Sequence, residues 1–146
     1  MSWAPRSPFD KAAGLMWLPR LIDKGRRKLQ GDELLGDYMF GDHDYLDGFL
    51  LRFLELNDAV ILEILRAEPD DDRAATAIVA RSGKSAEACS GWNKTFDRSQ
   101  HLALLNLDRD EGRYSFGPLI DPLWTAAQGV FLPVFRFIYD RNRSAT

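Results

Sequence analysis

Between residues 18 and 29 the apolar positions Leu18, Leu21, Ile22, Gly25 and Leu29 fall at i, i+3, i+4, i+7 and i+11, one stripe of a helix. Pro19 fixes where that helix begins. In a first turn its missing N–H has no intrahelical partner to lose, so the spacing predicts a helix starting at about Leu18. Gly25 costs about 1 kcal/mol against alanine in a helix interior. Its place on the apolar stripe predicts close passage of a second helix there.

The rest of the chain carries the same kind of punctuation. Residues 31–48 hold four glycines and six acidic residues and read as a connection with at most a short helical turn, in which Asp44 or Asp47 is placed to cap the next helix. Phe49, Leu50, Phe53, Leu54 and Leu56 predict that helix. Asn57 caps a further one carrying the stripe Val60, Ile61, Ile64 and Leu65, which Pro69 ends. Asp70, Asp71 and Asp72 stand where a helix macrodipole favours negative charge, and Gly83 stops that helix. Ser85 caps a helix through Phe96, another covers QHLALLNL, and RDEGRYSFG is a loop. Asp121-Pro122 starts a last helix running to about Arg141, with a kink at Pro133. No segment shows period-2 alternation with hairpin turns. The expectation is an all-α fold: one compact domain over residues 1–146 with six or seven short-to-medium helices, an N-terminal arm at 1–13 and a C-terminal helical segment at 118–146.

Composition narrows the function classes. At 146 residues and 45% apolar content the chain can bury a core without metals or disulfides, and its single cysteine, Cys89, excludes an internal disulfide. A net charge of −3 argues against general nucleic-acid binding, which needs clustered cations on phosphates. The start MSWAPRSPF lacks the basic and apolar regions of a secretory signal, so a cytoplasmic location is expected. The apolar run 123–139 is short for a membrane span and contains Gln128, Gly129, Pro133 and Arg136, so no membrane is expected. Its aromatics Trp124, Phe131, Phe135, Phe137 and Tyr139 suit a core helix or a homodimer interface.

Chemistry-bearing residues concentrate early. Arg20, Asp23 and Lys24 share one side of the first helix, and Asp23 can reach Arg27 at i+4. Such a face is ordinarily solvated and each pair worth about 0.5 kcal/mol or less. Alternatively it orients Arg20 and Lys24, with Arg6 and Lys11 of the arm, toward a phosphate or carboxylate. On that second reading Arg20→Ala or Lys24→Ala weakens ligand binding while leaving stability within about 1 kcal/mol, as surface changes usually do. Trp92 reads as a core anchor, and Asn93, a poor mid-helix residue, needs a partner such as a neighbouring loop. Asp42, His43, Asp44 and Asp47 match no specific metal loop, so no metal or other cofactor is expected. Cys89 reads as a small buried hydrophobe, and Gly83-Lys84-Ser85 lacks the upstream glycine of a phosphate loop.

The segments GLMWLPRLIDKGRRKLQG, LDGFLLRFLEL and SGKSAEACSGWN, in that order, resemble the small bacterial proteins grouped as domain of unknown function family 5069. The matching positions are Pro5, Arg6, Pro8, Lys11, Gly14, Leu18, Pro19, Arg20, Asp23, Lys24, Asp47, Trp92 and Asn93, across roughly residues 5–110. Ala13 stands where the family pattern has a glycine, and the segment after Gly117 departs from it, which implies a lineage-specific addition. The resemblance implies the fold and the residues to test without supplying an activity. The residues are open to three readings: a binding protein whose partner or small anionic ligand meets Arg6, Lys11, Arg20, Asp23 and Lys24 with Trp92 and Asn93 in support, an enzyme using Asp23 or Asp10 beside Lys24, and a homodimeric scaffold built on the last helix. Asp23 among Arg20, Lys24 and Arg27 is poorly placed for a general base, whose pKa must rise.

Overall fold

The computed structural model describes residues 3–129. Over these residues the fold is all-α apart from one two-residue antiparallel ladder. The elements in chain order are β1 (Lys11–Ala12), β2 (Leu15–Met16), α1 (Leu18–Gln30), a 3-10 turn (Asp32–Leu35), α2 (Tyr45–Leu54), α3 (Asp58–Ala67), α4 (Asp71–Ser82) and α5 (Ala86–Asp110). A further helical stretch covers residues 120–129. The expected kink at Pro133 and the aromatics Phe131, Phe135, Phe137 and Tyr139 lie outside the described residues.

Local chemistry sets the ends. Asp44, Asn57, Asp70 and Ser85 each accept a backbone N–H from the first turn they precede. Each satisfies a donor that would otherwise lack an intrahelical partner. Pro19 sits in the first turn of α1 as expected. Two differences from the sequence reading have plain causes. The ladder pairs Lys11 with Met16 and Ala12 with Leu15. Its two-residue turn puts Ala13 at φ 48° and Gly14 at φ 79°, the left-handed pair of a type I′ hairpin, in a run too short to show alternation. Residues 86–110, expected as two helices, form one, because no proline or C-terminal glycine interrupts them between Phe96 and Gln100.

Helix α1 is the centre, packed by α3, α4, the 3-10 turn and β1. Leu18, Leu21 and Ile22 are fully buried in a core shared with Leu50, Leu54, Ile61, Leu65, Ile78, Phe96 and Leu104. At about 1.5–3 kcal/mol per buried aliphatic side chain, this stripe holds α1 far more firmly than its own helix propensity does. The expected close crossing occurs at Gly25: a Cβ there would lie 2.5 Å from Leu65 Cδ1 and 3.2 Å from Phe40 Cε2. Arg26 seals the same crossing, donating to the Leu65 carbonyl at 2.5 Å and the Glu68 carbonyl at 2.7 Å at the C-terminal end of α3. Among the described residues no helix is long and apolar enough to cross a membrane.

Candidate functional site

The charged side of α1 is not a solvated face. Arg20 and Lys24 are each only 1% exposed, and the three heads that the sequence places together turn to three different partners. A change within about 1 kcal/mol on truncating Arg20 or Lys24 presumes exposure, and burial overturns that expectation.

Lys24 lies inside. Its Nζ is 2.7 Å from Asp47 Oδ1 and 3.0 Å from Asp44 Oδ2, so Asp44 serves both as N-cap of α2 and as counter-charge. Asp47 has no exposed surface and is further held by the Trp17 indole N–H at 2.7 Å and the Gly41 amide at 2.9 Å. Burial pushes its carboxyl upward, while Lys24 and the Trp17 hydrogen bond act against that rise. Trp17 is itself strained, at φ 68° immediately before α1. Left-handed backbone at a bulky residue costs about 1–3 kcal/mol and persists only where its surroundings over-determine it. Here Asp47 holds the indole, while the Arg20 guanidinium carbon and Lys24 Nζ lie 5.2 and 5.4 Å from its ring centroid.

Asp23 faces the arm and not Arg27. Arg6 donates to it from its backbone N–H at 2.7 Å, from Nε at 3.0 Å and from Nη2 at 2.7 Å. Arg6 Nη2 also reaches Asp71 at 2.9 Å, and Arg26 meets the other Asp71 oxygen at 3.1 Å. Asp23 and Lys24 therefore form no common acid–base pair. Lys11 is exposed on β1 and joins none of these pairings.

Arg20 forms the third arrangement, with residues the sequence did not single out. Its two terminal nitrogens grip the Glu111 carboxylate end-on, Nη1 at 2.9 Å from Oε2 and Nη2 on Oε1, and Nη1 also donates to the Arg6 carbonyl at 3.0 Å. The Tyr38 hydroxyl donates to Glu111 Oε1 at 2.8 Å, and Arg113 Nη1 holds Oε2. Arg113 also donates to the Pro5 carbonyl, and Ser7 Oγ to Asp108 at 2.8 Å, so the end of α5 clamps the arm. The Glu111 side chain is 6% exposed. Burial works to raise its carboxyl, but hydrogen bonds and charge from Arg20, with Tyr38 and Arg113, bring it below the usual glutamate value. Tyr38 is pushed up to about 12, by burial first and then by its bond to Glu111. One gap remains: among the described residues Arg20 Nε–H is buried without an acceptor. An unsatisfied buried donor of this kind costs about 1–3 kcal/mol.

Trp92 and Asn93 divide their work. Trp92 stacks on Phe96 at 4.5 Å and Phe53 at 5.5 Å between ring centroids, a packing role. Asn93 holds the hairpin, accepting from the Met16 amide at 2.9 Å and donating to the Gly14 carbonyl at 2.8 Å. That places it on a loop neighbouring α1, the partner a mid-helix asparagine requires. In the GDHDYLD stretch, Asp44 and Asp47 are engaged by Lys24, and among the described residues no three His, Cys, Asp or Glu side chains gather as a metal set.

A family model described as a domain of unknown function (DUF5069) matches residues 2–104. The chain belongs to this family. No curated protein matches the chain. Within the DUF5069 portion lie Arg6, Lys11, Arg20, Asp23, Lys24, Trp92 and Asn93, whereas Glu111 and Arg113 lie beyond it. The buried cation thus comes from the family domain and its carboxylate from the segment C-terminal to it.

Proposed function

We propose that this DUF5069 protein is a non-catalytic binding module whose ligand carries a small anionic group and meets the arm and first helix at Arg20. One observation carries the reading: a buried guanidinium, flanked by Tyr38 and Arg113, already holds a carboxylate in bidentate fashion. Planar carboxylate recognition is what a preorganised arginine fork does best. Asp23, Lys24 and Asn93 serve that arrangement as framework, since their polar atoms are engaged with Arg6, with Asp44 and Asp47, and with the hairpin. The enzyme alternative gains no support from Asp23, which lies in the fork of Arg6 and apart from Lys24.

The test is a thermal-shift panel of acetate, succinate, citrate, phosphate and pyrophosphate against chloride at matched ionic strength. A ligand at about 100 times its Kd stabilises by about 2.7 kcal/mol. For a domain of this size that is about 5–10 °C. At least one anion is expected to raise the melting temperature of the natural chain, with the effect lost in Arg20→Lys, which keeps the charge and loses the fork. A panel in which no anion exceeds chloride refutes the small-ligand reading.

A further inference from the structure

The carboxylate of Glu111 occupies the Arg20 site imperfectly. It approaches end-on, through Nη1 and Nη2, and leaves the Nε–H of a 1%-exposed arginine without an acceptor among the described residues. A guanidinium presents five N–H donors in a rigid fork, and the edge formed by Nε and Nη2 is a second bidentate seat. The occupant is also differently anchored from the receptor. Arg20 is fixed by α1 and stacked near Trp17 and Tyr38, at 5.2 and 5.4 Å from the two ring centroids. Glu111 comes directly after the last residue of α5, and Gly112 beyond it takes φ 77°. From there the chain runs through residues 113–117 without regular structure, with Arg113, Tyr114 and Ser115 exposed.

Resting on the proposed binding function, we propose that the Arg20–Tyr38 seat is a carboxylate-receiving site and that Glu111 is its tethered internal occupant. An external carboxylate enters by exchange, satisfying the free Nε–H while the 111–117 segment moves away. The ligand chemistry is a carboxylate, whether of a free small acid or of a glutamate or aspartate side chain in a peptide. Because Arg113 travels with the displaced segment and holds the Pro5 carbonyl, exchange also loosens the arm.

The experiment pairs the natural chain with Glu111→Ala, which empties the seat and keeps every cation. Acetate and an end-capped Gly-Glu-Gly peptide are titrated into each, with chloride as control, reading the melting temperature and the Arg20 Nε–H resonance by NMR. Glu111→Ala is expected to show a saturable rise with acetate that chloride does not reproduce, together with a shift of the Nε–H signal. A tethered carboxylate competes at millimolar or higher effective concentration, so in the natural chain the same shift needs at least about tenfold more acetate. A response to acetate alone identifies a free acid as the ligand, and a tighter response to the peptide identifies an acidic side chain. No acetate-specific change in Glu111→Ala overturns the inference. If that variant does not fold, the natural chain decides: movement of the Arg20 Nε–H and of the 111–117 amides with acetate supports exchange, and their constancy at high acetate overturns it. The two readings separate cleanly. A panel with no hit beside a responsive Glu111→Ala keeps the pocket and removes the free-ligand function, and a hit on the natural chain that leaves Glu111 in place keeps the function and removes the exchange.

Discussion

Replacing Lys24 with methionine tests the buried charge arrangement most directly. Methionine keeps the length and apolar stem, so packing changes little, and what disappears is the cation 2.7 Å from Asp47 and 3.0 Å from Asp44. Asp47, fully buried, keeps the Trp17 and Gly41 donors and loses its counter-charge, while Asp44 remains beside it. Breaking a buried pair on one side costs about 3–5 kcal/mol. With a urea m-value of about 2 kcal/mol/M, the unfolding midpoint at pH 7 should fall by about 2 M. The pH dependence gives the second signature. Burial and Asp44 already push the Asp47 carboxyl upward, and without Lys24 it rises further above its unfolded value. A raised acid contributes stability in its protonated form, complete below the unfolded value and lost as pH rises through the folded one. The deficit of the variant should therefore shrink as pH falls from 7 toward 4. Urea unfolding followed by tryptophan fluorescence at both ends of that range is the assay. A midpoint change below about 0.5 M, equal at both pH values, would show that Lys24 behaves as a solvent-screened surface charge and that the reasoning is wrong.

Other consequences can be checked by simple means. Asn93→Ala strips the buried Met16 amide of its acceptor and should cost about 1–2.5 kcal/mol after the gain in helix propensity, whereas Asn93→Asp keeps an acceptor and should lose less; equal losses in chemical unfolding would rule out the hydrogen bond as the cause. Ala13→Gly removes a left-handed penalty of about 1–2 kcal/mol and adds about 0.4–1 kcal/mol of unfolded-state freedom, so a net gain of about 0.5–1 kcal/mol is expected, and a loss would contradict the hairpin geometry. Tyr38 should ionise near pH 12 in an absorbance titration, and somewhat lower in Glu111→Ala, where burial still acts but the bond to Glu111 is gone. Since its phenol is raised, its stabilising contribution is whole below about pH 10 and is lost as pH rises through about 12, so a Tyr38→Phe variant should flatten the alkaline limb of the stability profile.

What could be read from residues alone was whatever depends on neighbours in sequence. Pro19 marked the start of α1, Asp44, Asn57, Asp70 and Ser85 marked caps, and Gly25 marked a crossing, because each acts through backbone geometry within a turn or two. Asn93 could be read as needing a partner, since an amide is poorly served in mid-helix. The depth of Arg20 and Lys24 could not. Burial of a cation depends on which carboxylate arrives from elsewhere, and Glu111 arrives across 91 residues from a stretch that looked like an ordinary polar loop. Asp47 was legible as a candidate cap, yet the cap is Asp44, which freed Asp47 to turn inward on Lys24 and Trp17. The hairpin escaped notice because two residues per strand are too few for a pattern.

The clamp between the arm and the end of α5 also fixes an order of events during synthesis. Ser7 waits 101 residues for Asp108, Arg20 waits 91 for Glu111, and the Pro5 carbonyl waits 108 for Arg113. A ribosome adding about 5–20 residues per second makes the Arg20 interval roughly 5–20 s. Throughout that interval the nascent chain carries an arginine whose native carboxylate has not yet been made, and until residue 93 is added the turn and second strand of the hairpin have no Asn93 to tie them. The arm is thus translated before the α5 residues that clamp it and is among the last parts to be secured.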